Sequence, residues 1–456
     1  MGNSPETADA RVARLARDHR VGLPARRAAV SLLEAVLKRG RPLDAAIAAE
    51  IGHGDLAALT ERDRALARAI TATALRRKGQ IDAILDSLLE RRPPGRTGAL
   101  PSILLAASAQ ILFMDTADHA VVNLAVHQAR SDRRSSRYAG LVNAVLRRVS
   151  EGKAGALAQQ DAARLNTPDW LWRRWSEAYG EDSARGIATT HLGEAPLDLS
   201  VKSDAPGWAE KLGGTALPGN TVRLEAGGRI EALPGFGDGA WWVQDAAAAM
   251  PARLLGDIEG LRVADLCAAP GGKTAQLASG GGAVTAVDLS DKRLALVADN
   301  MKRLGLGAEL VASDVLSFRA AQPFDAVLLD APCTATGTIR RHPDIPHLKS
   351  QADVAEMAEL QHRLLRHAAS LLKPGGRLVY CTCSLEPEEG ERQAERLVAA
   401  EPRLAPDPVT PDEAGCPPEW IAGPGWLRTL PVMIPPGAAE GTGIDGFFAA
   451  RFRLRG

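Results

Sequence analysis

The sequence has few cysteines, and none of them are arranged as a disulfide scaffold would require. Its 456 residues include only five, at positions 267, 333, 381, 383 and 416. The closest pair, Cys381 and Cys383, lies one residue apart in a strand-like segment. Side chains at that spacing point the same way and cannot reach disulfide geometry. Each cysteine therefore needs its own explanation, as in a reducing compartment.

Other absences narrow the class of protein. There is no CxxC or HxxxH pair to begin a tetrahedral zinc site, so we expect no structural metal. The N-terminal stretch "MGNSPETADARVARL" has no apolar signal core, and no apolar run is long enough to span a membrane. Together these absences predict a cytoplasmic protein.

The net charge is zero, but the charges are unevenly distributed. Residues 1–150 contain 24 Lys+Arg against 15 Asp+Glu, and the rest of the chain balances this excess. The asymmetry favours a polyanionic partner for the front of the chain, or it reflects solvated helix faces with a chance excess of arginine. Charge alone does not decide between them.

The length, with 45% hydrophobic residues, predicts about three domains. Residues 1–155 are predicted to form an all-α domain because apolar residues recur at helical spacing, and Thr60 and Asp63 resemble a capping box. Residues 156–245 combine a Trp-rich helical patch, "PDWLWRRWSEAYG", with short strand-like pieces. This second region is predicted to be a small α+β module.

Residues 246–456 are predicted to form an α/β domain with a doubly wound parallel sheet. Short apolar runs alternate there with helical segments, which is typical of that fold. Ligands of such sheets bind beyond the carboxyl ends of the strands. The apolar runs end in polar or reactive residues, namely Asp265, Asp288, Asp314, Asp330 with Cys333, and Cys383.

The loop "CAAPGGKT" (267–274) is neither a P-loop nor a dinucleotide fingerprint. The first glycine of G-x-x-x-x-G-K-[ST] would stand where the chain has Cys267, and G-x-G-x-x-G is not present there. What remains is a tight turn of small residues, with Asp288 placed at the end of the next strand to bind ribose hydroxyls. This combination predicts an adenosyl ligand without phosphates, such as S-adenosylmethionine.

With a methyl donor bound, two cysteines at neighbouring strand ends suggest methylation of cytosine at carbon 5. That carbon is a poor nucleophile until a thiolate attacks carbon 6, and a second group must then help to expel the thiolate. Cys333 and Cys383 are the candidates, in an order that the residues alone leave open. Cys381 and Cys416 are interpreted as small buried hydrophobic residues, and Cys267 as a packing residue whose backbone lines the cofactor site.

Several motifs resemble bacterial RNA cytosine-5 methyltransferases of the RsmB/Sun type, within the RsmB/NOP group. They are "DLCAAPGGKT" (265–274), "DLSDKRLALVADNMKRLGL" (288–306), "DAPCTATGTIRRHPD" (330–344), "YCTCSLEPEEGE" (380–391) and "DGFFAARF" (445–452). In the helical region, "HAVVNLAV" and "YAGLVNAVLRRV" resemble the RNA-binding domain shared with the antitermination factor NusB. The resemblance covers nearly the whole chain.

The resemblance implies a role for each site residue. Cys383 would be the nucleophile, and Cys333 would help to release the product. Asp288, Asp314 and Asp330 would bind S-adenosylmethionine, and Asp330 would also touch the cytosine. The cofactor would further contact the backbone of a continuous segment, namely Cys267, Ala268, Ala269, Pro270, Gly271, Gly272 and Lys273.

The chain departs from the family pattern in three places. It has "PCTATG" where "PCSGTG" is common, "LSVKSD" (199–204) where "LRVN" is common, and Cys381 where serine is common. The basic residues that follow the first of these motifs are placed to meet an RNA phosphate, or they form a solvated turn. They are Arg340, Arg341 and His342.

The sequence therefore predicts a monomeric, cytoplasmic methyltransferase that uses S-adenosylmethionine to make 5-methylcytosine in small-subunit (16S) ribosomal RNA. Two alternatives stay open. One is the same chemistry on tRNA. The other is a non-catalytic RNA-binding or antitermination-type factor, against which the presence of both Cys333 and Cys383 argues.

Overall fold

The computed structural model of the protein describes residues 22–89, 97–225 and 228–456. Within these ranges, no helix is both long and apolar enough to cross a membrane. The described side chains also include no cluster of three or more His, Cys, Asp or Glu residues that could hold a metal ion. The stretch "MGNSPETADARVARL", which lacks a signal core in sequence, lies outside the described residues.

The chain divides into two compact units. The first comprises Met1–Trp172 and His342–Lys349, and the second comprises Arg173–Arg341 and Ser350–Gly456. The small sheet and the large sheet described below both belong to the second unit. The division into three domains, with boundaries at residues 155 and 245, stays a prediction.

The described part of the first unit is helical. The helices are α1 (Leu23–Leu37), α2 (Leu43–His53), α3 (Glu61–Arg76), α4 (Lys78–Leu88), α5 (Leu100–Phe113), α6 (Asp118–Ser131), α7 (Ala139–Ala158) and α8 (Ala162–Asn166). Of these, α5 is apolar on nearly all sides and packs against α1, α3, α6 and α7, as expected for a helix surrounded by others. Thr60 caps α3 as predicted, since its Oγ1 accepts a hydrogen bond from the Asp63 amide at 3.2 Å.

A short segment from late in the chain, His342–Lys349, completes the first unit. Asp344 Oδ2 accepts a hydrogen bond from the Leu43 amide at 2.9 Å, and His347 Nε2 lies 3.0 Å from the Leu75 carbonyl oxygen. Burial lowers the pKa of His347, which favours the neutral imidazole in this position.

The second unit contains a small antiparallel sheet whose strands are Leu197–Val201 (β1), Thr215–Leu217 (β2), Thr221–Leu224 (β3) and Trp241–Val243 (β4), in the order β2-β3-β1-β4. The buried carboxylate of Asp198 accepts two hydrogen bonds of 2.8 Å from Arg223 and one of 3.0 Å from the Ala246 amide. These bonds connect the small sheet to the helix that precedes the large sheet. The elements are α9 (Asp169–Tyr179), which begins in the first unit, α10 (Glu181–Thr190), β1 (Leu197–Val201), α11 (Ala205–Leu212), β2 (Thr215–Leu217), β3 (Thr221–Leu224), β4 (Trp241–Val243) and α12 (Ala246–Arg253).

The large sheet of the second unit has helices between most of its successive parallel strands, whereas a loop joins Glu309–Ala312 to Phe324–Asp330. Its first strands and helices are β5 (Arg262–Leu266), α13 (Gly272–Ser279), β6 (Ala283–Asp288), α14 (Asp291–Leu304), β7 (Glu309–Ala312) and β8 (Phe324–Asp330). After α15 (Ile345–Leu348), which belongs to the first unit, follow α16 (Gln351–Ser370), β9 (Leu372–Thr382), α17 (Glu391–Ala400), β10 (Leu404–Pro406), α18 (Pro411–Ala414), β11 (Ile421–Ala422), β12 (Trp426–Thr429) and β13 (Phe447–Leu454).

The strand order β11-β12-β13-β9-β8-β5-β6-β7 confirms the predicted doubly wound sheet and adds an antiparallel edge. From β9 to β7 the neighbours are parallel, whereas β13 lies antiparallel between β9 and β12. The sequence did not predict this edge. β13 is an interior strand of the sheet, and nearly all of its residues are buried, as expected for a strand covered on both faces. The strand order reverses between β5 and β8, which is where doubly wound sheets bind ligands.

Candidate active site

The glycine-containing loop lies at this point of reversal, between β5 and α13. Cys267, with φ at +63°, turns the chain out of β5, and the Ala268 amide donates to the Val287 carbonyl at 3.0 Å. Gly271 adopts φ +99°, and a Cβ there would lie 2.9 Å from Val297 Cγ1. The turn therefore requires the small residues that the sequence provides.

Asp288, at the end of β6, holds this loop from the neighbouring strand. Its side chain is buried, and its two carboxylate oxygens accept hydrogen bonds of 3.1 Å from the Ala269 and Ser290 amides. Arg293 Nη1 also lies 3.6 Å from Asp288 Oδ2. A carboxylate has about four acceptor sites, so acceptor capacity is left for ribose hydroxyls. The next residue, Leu289, is 76% exposed and offers an apolar surface beside the carboxylate. Sequence reasoning missed Leu289 because a single leucine gives no distinctive signal.

The geometry at the loop fits an adenosyl cofactor. Thr274 Oγ1 donates to Asp265 Oδ2 at 2.6 Å, but the buried Oδ1 of Asp265 has no partner among the described residues. Burial raises the pKa of Asp265 to about 7. Asp314 lies just beyond β7 and is exposed, with its Oδ1 accepting from the Leu316 amide at 2.9 Å. The loop thus lies beside the carboxylates of Asp288 and Asp314 and next to the apolar surface of Leu289, while the unpartnered oxygen of Asp265 is buried beneath it.

Strand pairing brings the two candidate catalytic cysteines together. In the parallel pair β8 and β9, Asp330 lies opposite Cys381. Cys333 and Cys383 follow these positions at the same edge of the sheet, and their Sγ atoms lie 3.5 Å apart. They are free thiols, as are the other three cysteines. The hydrogen bond with Cys383, together with burial, raises the pKa of Cys333 well above its ordinary value, so this thiol is neutral at pH 7.

Asp330 connects the cofactor loop to the cysteines. Lys273 Nζ donates to Asp330 Oδ2 at 2.8 Å, and Cys381 Sγ lies 3.5 Å from Asp330 Oδ1. Burial disfavours the ammonium of Lys273, but the Asp330 carboxylate outweighs it and raises the pKa of this lysine. Burial also raises the pKa of Cys381, which supports a neutral thiol that donates to Asp330. Cys381 is buried as predicted, yet it contacts a candidate site residue as well.

Two basic residues next to the cysteine motif have partners inside the protein. Arg340 is 1% exposed, and its Nε donates to Asp445 Oδ1 at 2.7 Å while its Nη2 donates to Asp245. Arg341 Nε donates to Asp445 Oδ2 at 2.8 Å. The expectation that Arg340 meets an RNA phosphate is therefore wrong, because its guanidinium is enclosed by carboxylates. His342 belongs to the first unit, where its Nδ1 lies 3.5 Å from Asp44 Oδ2.

A buried carboxylate close to both cysteines, Glu389, was not predicted from the sequence. It is fully buried and accepts hydrogen bonds from residues adjacent to each cysteine. In sequence it belongs to "EPEEGE", where a run of acidic residues indicates only the start of a helix. Pro387, within that run, is a local sign in the sequence that the chain turns before the helix begins.

Comparisons with known proteins agree with this architecture. Residues 252–453 match the family model of the 16S rRNA methyltransferase RsmB/F, and residues 23–151 match the NusB family. The ribosomal RNA small subunit methyltransferase B of Salmonella paratyphi B is 35% identical over 86% of this chain and 91% of its own length. The same protein from Salmonella typhi gives equal figures.

Solved structures agree on the fold. The crystal structure of PH0851 matches 94% of this chain and 98% of its own, with a TM-score of 0.74 at 23% identity. A methyltransferase homologue from Pyrococcus horikoshii covers 62% of this chain and 93% of its own, with a TM-score of 0.50 at 28% identity. These findings confirm both resemblances, and the chain belongs to the RsmB/F family of 16S rRNA methyltransferases, with a NusB-family domain in its N-terminal part.

Proposed function

We propose that the protein transfers a methyl group from S-adenosylmethionine to carbon 5 of a cytosine in small-subunit ribosomal RNA, with Cys383 as nucleophile. As a member of its family the chain is an S-adenosylmethionine-dependent RNA methyltransferase. The observation that supports this pair of residues is the 3.5 Å separation of the Cys333 and Cys383 sulfurs at one edge of the sheet, and the choice of Cys383 as the nucleophile rests on the family resemblance. A cytoplasmic location and a monomeric state are part of the proposal.

Each cysteine has a separate task in this mechanism. The Cys383 thiolate attacks carbon 6 of the cytosine, which makes carbon 5 nucleophilic. S-adenosylmethionine supplies the methyl group that carbon 5 accepts and is left as S-adenosylhomocysteine. A solvent base then takes the carbon 5 proton, the electron pair of that C–H bond forms the double bond between carbons 5 and 6, and the sulfur leaves carbon 6 as a thiolate with the pair of the broken bond. A neutral Cys333 thiol next to Cys383 donates a hydrogen bond to the departing thiolate, which stabilises its charge.

Two sets of groups would bind the other parts of the cofactor and substrate. Asp288 would accept hydrogen bonds from the ribose hydroxyls, and Leu289 would cover the adenine. The backbone from residue 267 to 273, with Asp314, would line the remainder of the cofactor site. Asp330, held by Lys273, would face both the cofactor and the cytosine.

Replacement of Asp288 should weaken cofactor binding. We expect Asp288→Ala to lose about 1.5–3 kcal/mol of S-adenosylmethionine affinity, the scale of a hydrogen bond to a charged group. RNA affinity should stay the same. Calorimetric titration of the folded variant with S-adenosylmethionine measures the change, and Asp299→Ala, an exposed carboxylate on α14, is the matched control. Equal affinities of the two variants would remove Asp288 from the site.

The first unit offers a surface for RNA between α6 and α7. A groove of about 440 Å³ is lined by Asn123, His127, Arg130 and Asn143, and its walls come from α6 and α7, which contain most of the two segments that resemble NusB. The loop between these helices carries exposed arginines, among them Arg133 and Arg134. Arginines on such a surface would contact phosphates, and the amides would contact bases.

Charge reversal in this loop should reduce RNA affinity and its dependence on salt. For every phosphate that Arg133→Glu/Arg134→Glu no longer neutralises, the slope of log affinity against log salt should flatten by about 0.7–0.9, because fewer counterions are released. Filter binding at several salt concentrations measures the slope. The control Arg363→Glu/Arg366→Glu changes an exposed pair on α16 by the same charge. If Arg363→Glu/Arg366→Glu flattens the salt dependence of RNA binding as much as Arg133→Glu/Arg134→Glu does, the loop between α6 and α7 is not a specific RNA-binding surface.

One experiment separates ribosomal RNA from tRNA as the substrate. Bisulfite sequencing of both RNAs from a strain that lacks the protein should show one missing 5-methylcytosine in small-subunit ribosomal RNA. A loss confined to tRNA would establish the alternative substrate with the same chemistry.

A further inference from the structure

Glu389 bonds to both neighbours of Cys383. Its carboxylate Oε2 accepts a hydrogen bond of 2.5 Å from Ser384 Oγ, and its backbone carbonyl accepts one of 3.3 Å from Thr382 Oγ1. The Ser384 carbonyl is held in addition by Arg428 Nη1 at 2.7 Å. The residues on each side of the proposed nucleophile are therefore attached to a single residue.

The same carboxylate holds the chain around Cys333. Glu389 Oε1 accepts from the Thr334 amide at 2.9 Å, and Oε2 also accepts from Thr334 Oγ1. On the other side of Cys333, the Pro332 carbonyl accepts from Gln361 Nε2 at 2.8 Å. That same amide nitrogen lies 3.1 Å from Glu389 Oε1. One carboxylate thus connects the two turns that carry the thiols.

Burying the Glu389 carboxylate costs free energy, which indicates that this group has a specific structural role. Glu389 is fully buried and has no cationic partner among its four hydrogen-bond donors, all of which are neutral. Burial raises its pKa, and the hydrogen bonds oppose that change. An apolar side chain would pack this position at a lower cost, but it could not fix the directions of two polar turns.

We propose that Glu389 is a positioning residue that sets the separation and direction of the Cys333 and Cys383 thiols. The proposal rests on the proposed function, since it takes both thiols to act on one cytosine. Without the carboxylate, Thr334 and Ser384 lose their shared partner. The two turns keep direct contacts, such as the Gly337 amide with the Cys383 carbonyl at 3.0 Å and Thr334 Oγ1 with Ser384 Oγ at 3.3 Å, but the residues next to each thiol are held less firmly. A displacement of about 1 Å in a reacting group costs on the order of a hundredfold in rate.

Turnover should therefore fall while binding is preserved. We expect Glu389→Ala to lower kcat about a hundredfold with unchanged KM for S-adenosylmethionine and for RNA. Glu389→Gln should recover much of the loss, because its amide oxygen still accepts from Thr334 and Gln361 while its NH₂ group faces hydroxyls that can accept. If Glu389→Ala does not fold, Glu389→Leu carries the test, because it fills a similar volume without any hydrogen-bond acceptor, and a wild-type kcat for Glu389→Leu overturns the proposal.

A matched control distinguishes positioning from general stability. Asp198 is another buried carboxylate of the second unit, bonded to Arg223 and remote in its contacts from both cysteine turns. Asp198→Ala should lower the melting temperature while the folded enzyme keeps its kcat. An equal fall of kcat in Asp198→Ala and Glu389→Ala would overturn the proposal.

The rate at which the covalent complex with RNA forms directly measures how well the Cys383 thiol is positioned. Because Cys333 assists the release of the Cys383 thiolate in the proposed mechanism, Cys333→Ala should accumulate a covalent complex with RNA, and adding Glu389→Ala should slow its formation about a hundredfold. If Cys333→Ala forms the complex and the double variant forms it equally fast, Glu389 does not position the nucleophile. If Cys333→Ala itself forms no complex, the covalent mechanism fails, and this inference fails with it.

Discussion

Cys383→Ala should abolish methylation and form no covalent RNA complex, whereas Cys333→Ala should lose turnover and accumulate such a complex. The first change removes the thiolate that attacks carbon 6, so no later step can occur. The second leaves attack and methyl transfer intact but removes the thiol that lies 3.5 Å from the departing sulfur. Both variants stop turnover, Cys383→Ala before the covalent bond to RNA forms and Cys333→Ala before that bond is broken.

A denaturing gel separates the two outcomes. After incubation with RNA and S-adenosylmethionine, Cys333→Ala should give a protein band of reduced mobility, and nuclease digestion should return it to the position of the free protein. Cys383→Ala should give no such band. Cys416→Ala, which removes a buried thiol outside the proposed site, should behave like the unchanged enzyme. The reverse pattern would place the nucleophile in "DAPC" and invert the assignment. Unimpaired methylation by both variants would remove both cysteines from the mechanism.

The second large effect concerns stability. Removing one member of a buried ion pair leaves an uncompensated charge, so Arg340→Ala should lower the free energy of unfolding by about 3–5 kcal/mol. Two buried carboxylates, Asp245 and Asp445, lose this partner together. Urea unfolding followed by tryptophan fluorescence measures the change, since Trp241 and Trp242 are buried in the same unit.

The control for this experiment is an exposed ion pair. Arg396 on α17 bonds to Glu359 on α16, and both side chains are largely in water. Arg396→Ala should leave the unfolding midpoint nearly unchanged, because water screens exposed pairs. An Arg340→Ala variant as stable as this control, but weaker in RNA binding, would restore the phosphate role that the buried geometry argues against.

The sequence was sufficient where a local pattern determines the structure. Apolar runs ending in Asp288, Asp330 and Cys383 predicted parallel strands whose ends meet, and β6, β8 and β9 are such strands. The cysteines could be placed at one edge because parallel neighbours share the position of their carboxyl ends. Their order of action came only from the family resemblance.

The sequence was insufficient where partners lie far apart in the chain. Arg340 and Asp445 are 105 residues apart, so the local sequence shows a basic turn and not the carboxylates that enclose it. Glu389 looks like a surface residue at a helix start, and its burial follows from the packing of α16 against the β9 region. β13 joins the sheet antiparallel beside β9, a long-range pairing that its apolar run alone does not specify.

The most direct test of the central claim is the identity of the methylated nucleoside. Small-subunit ribosomal RNA is incubated with the full chain and S-adenosylmethionine that carries an isotopically labelled methyl group, then digested and analysed by mass spectrometry. The proposed mechanism predicts label in 5-methylcytidine, and none when Cys383→Ala replaces the enzyme. Label in any other nucleoside, or undiminished label in 5-methylcytidine with Cys383→Ala, would contradict it.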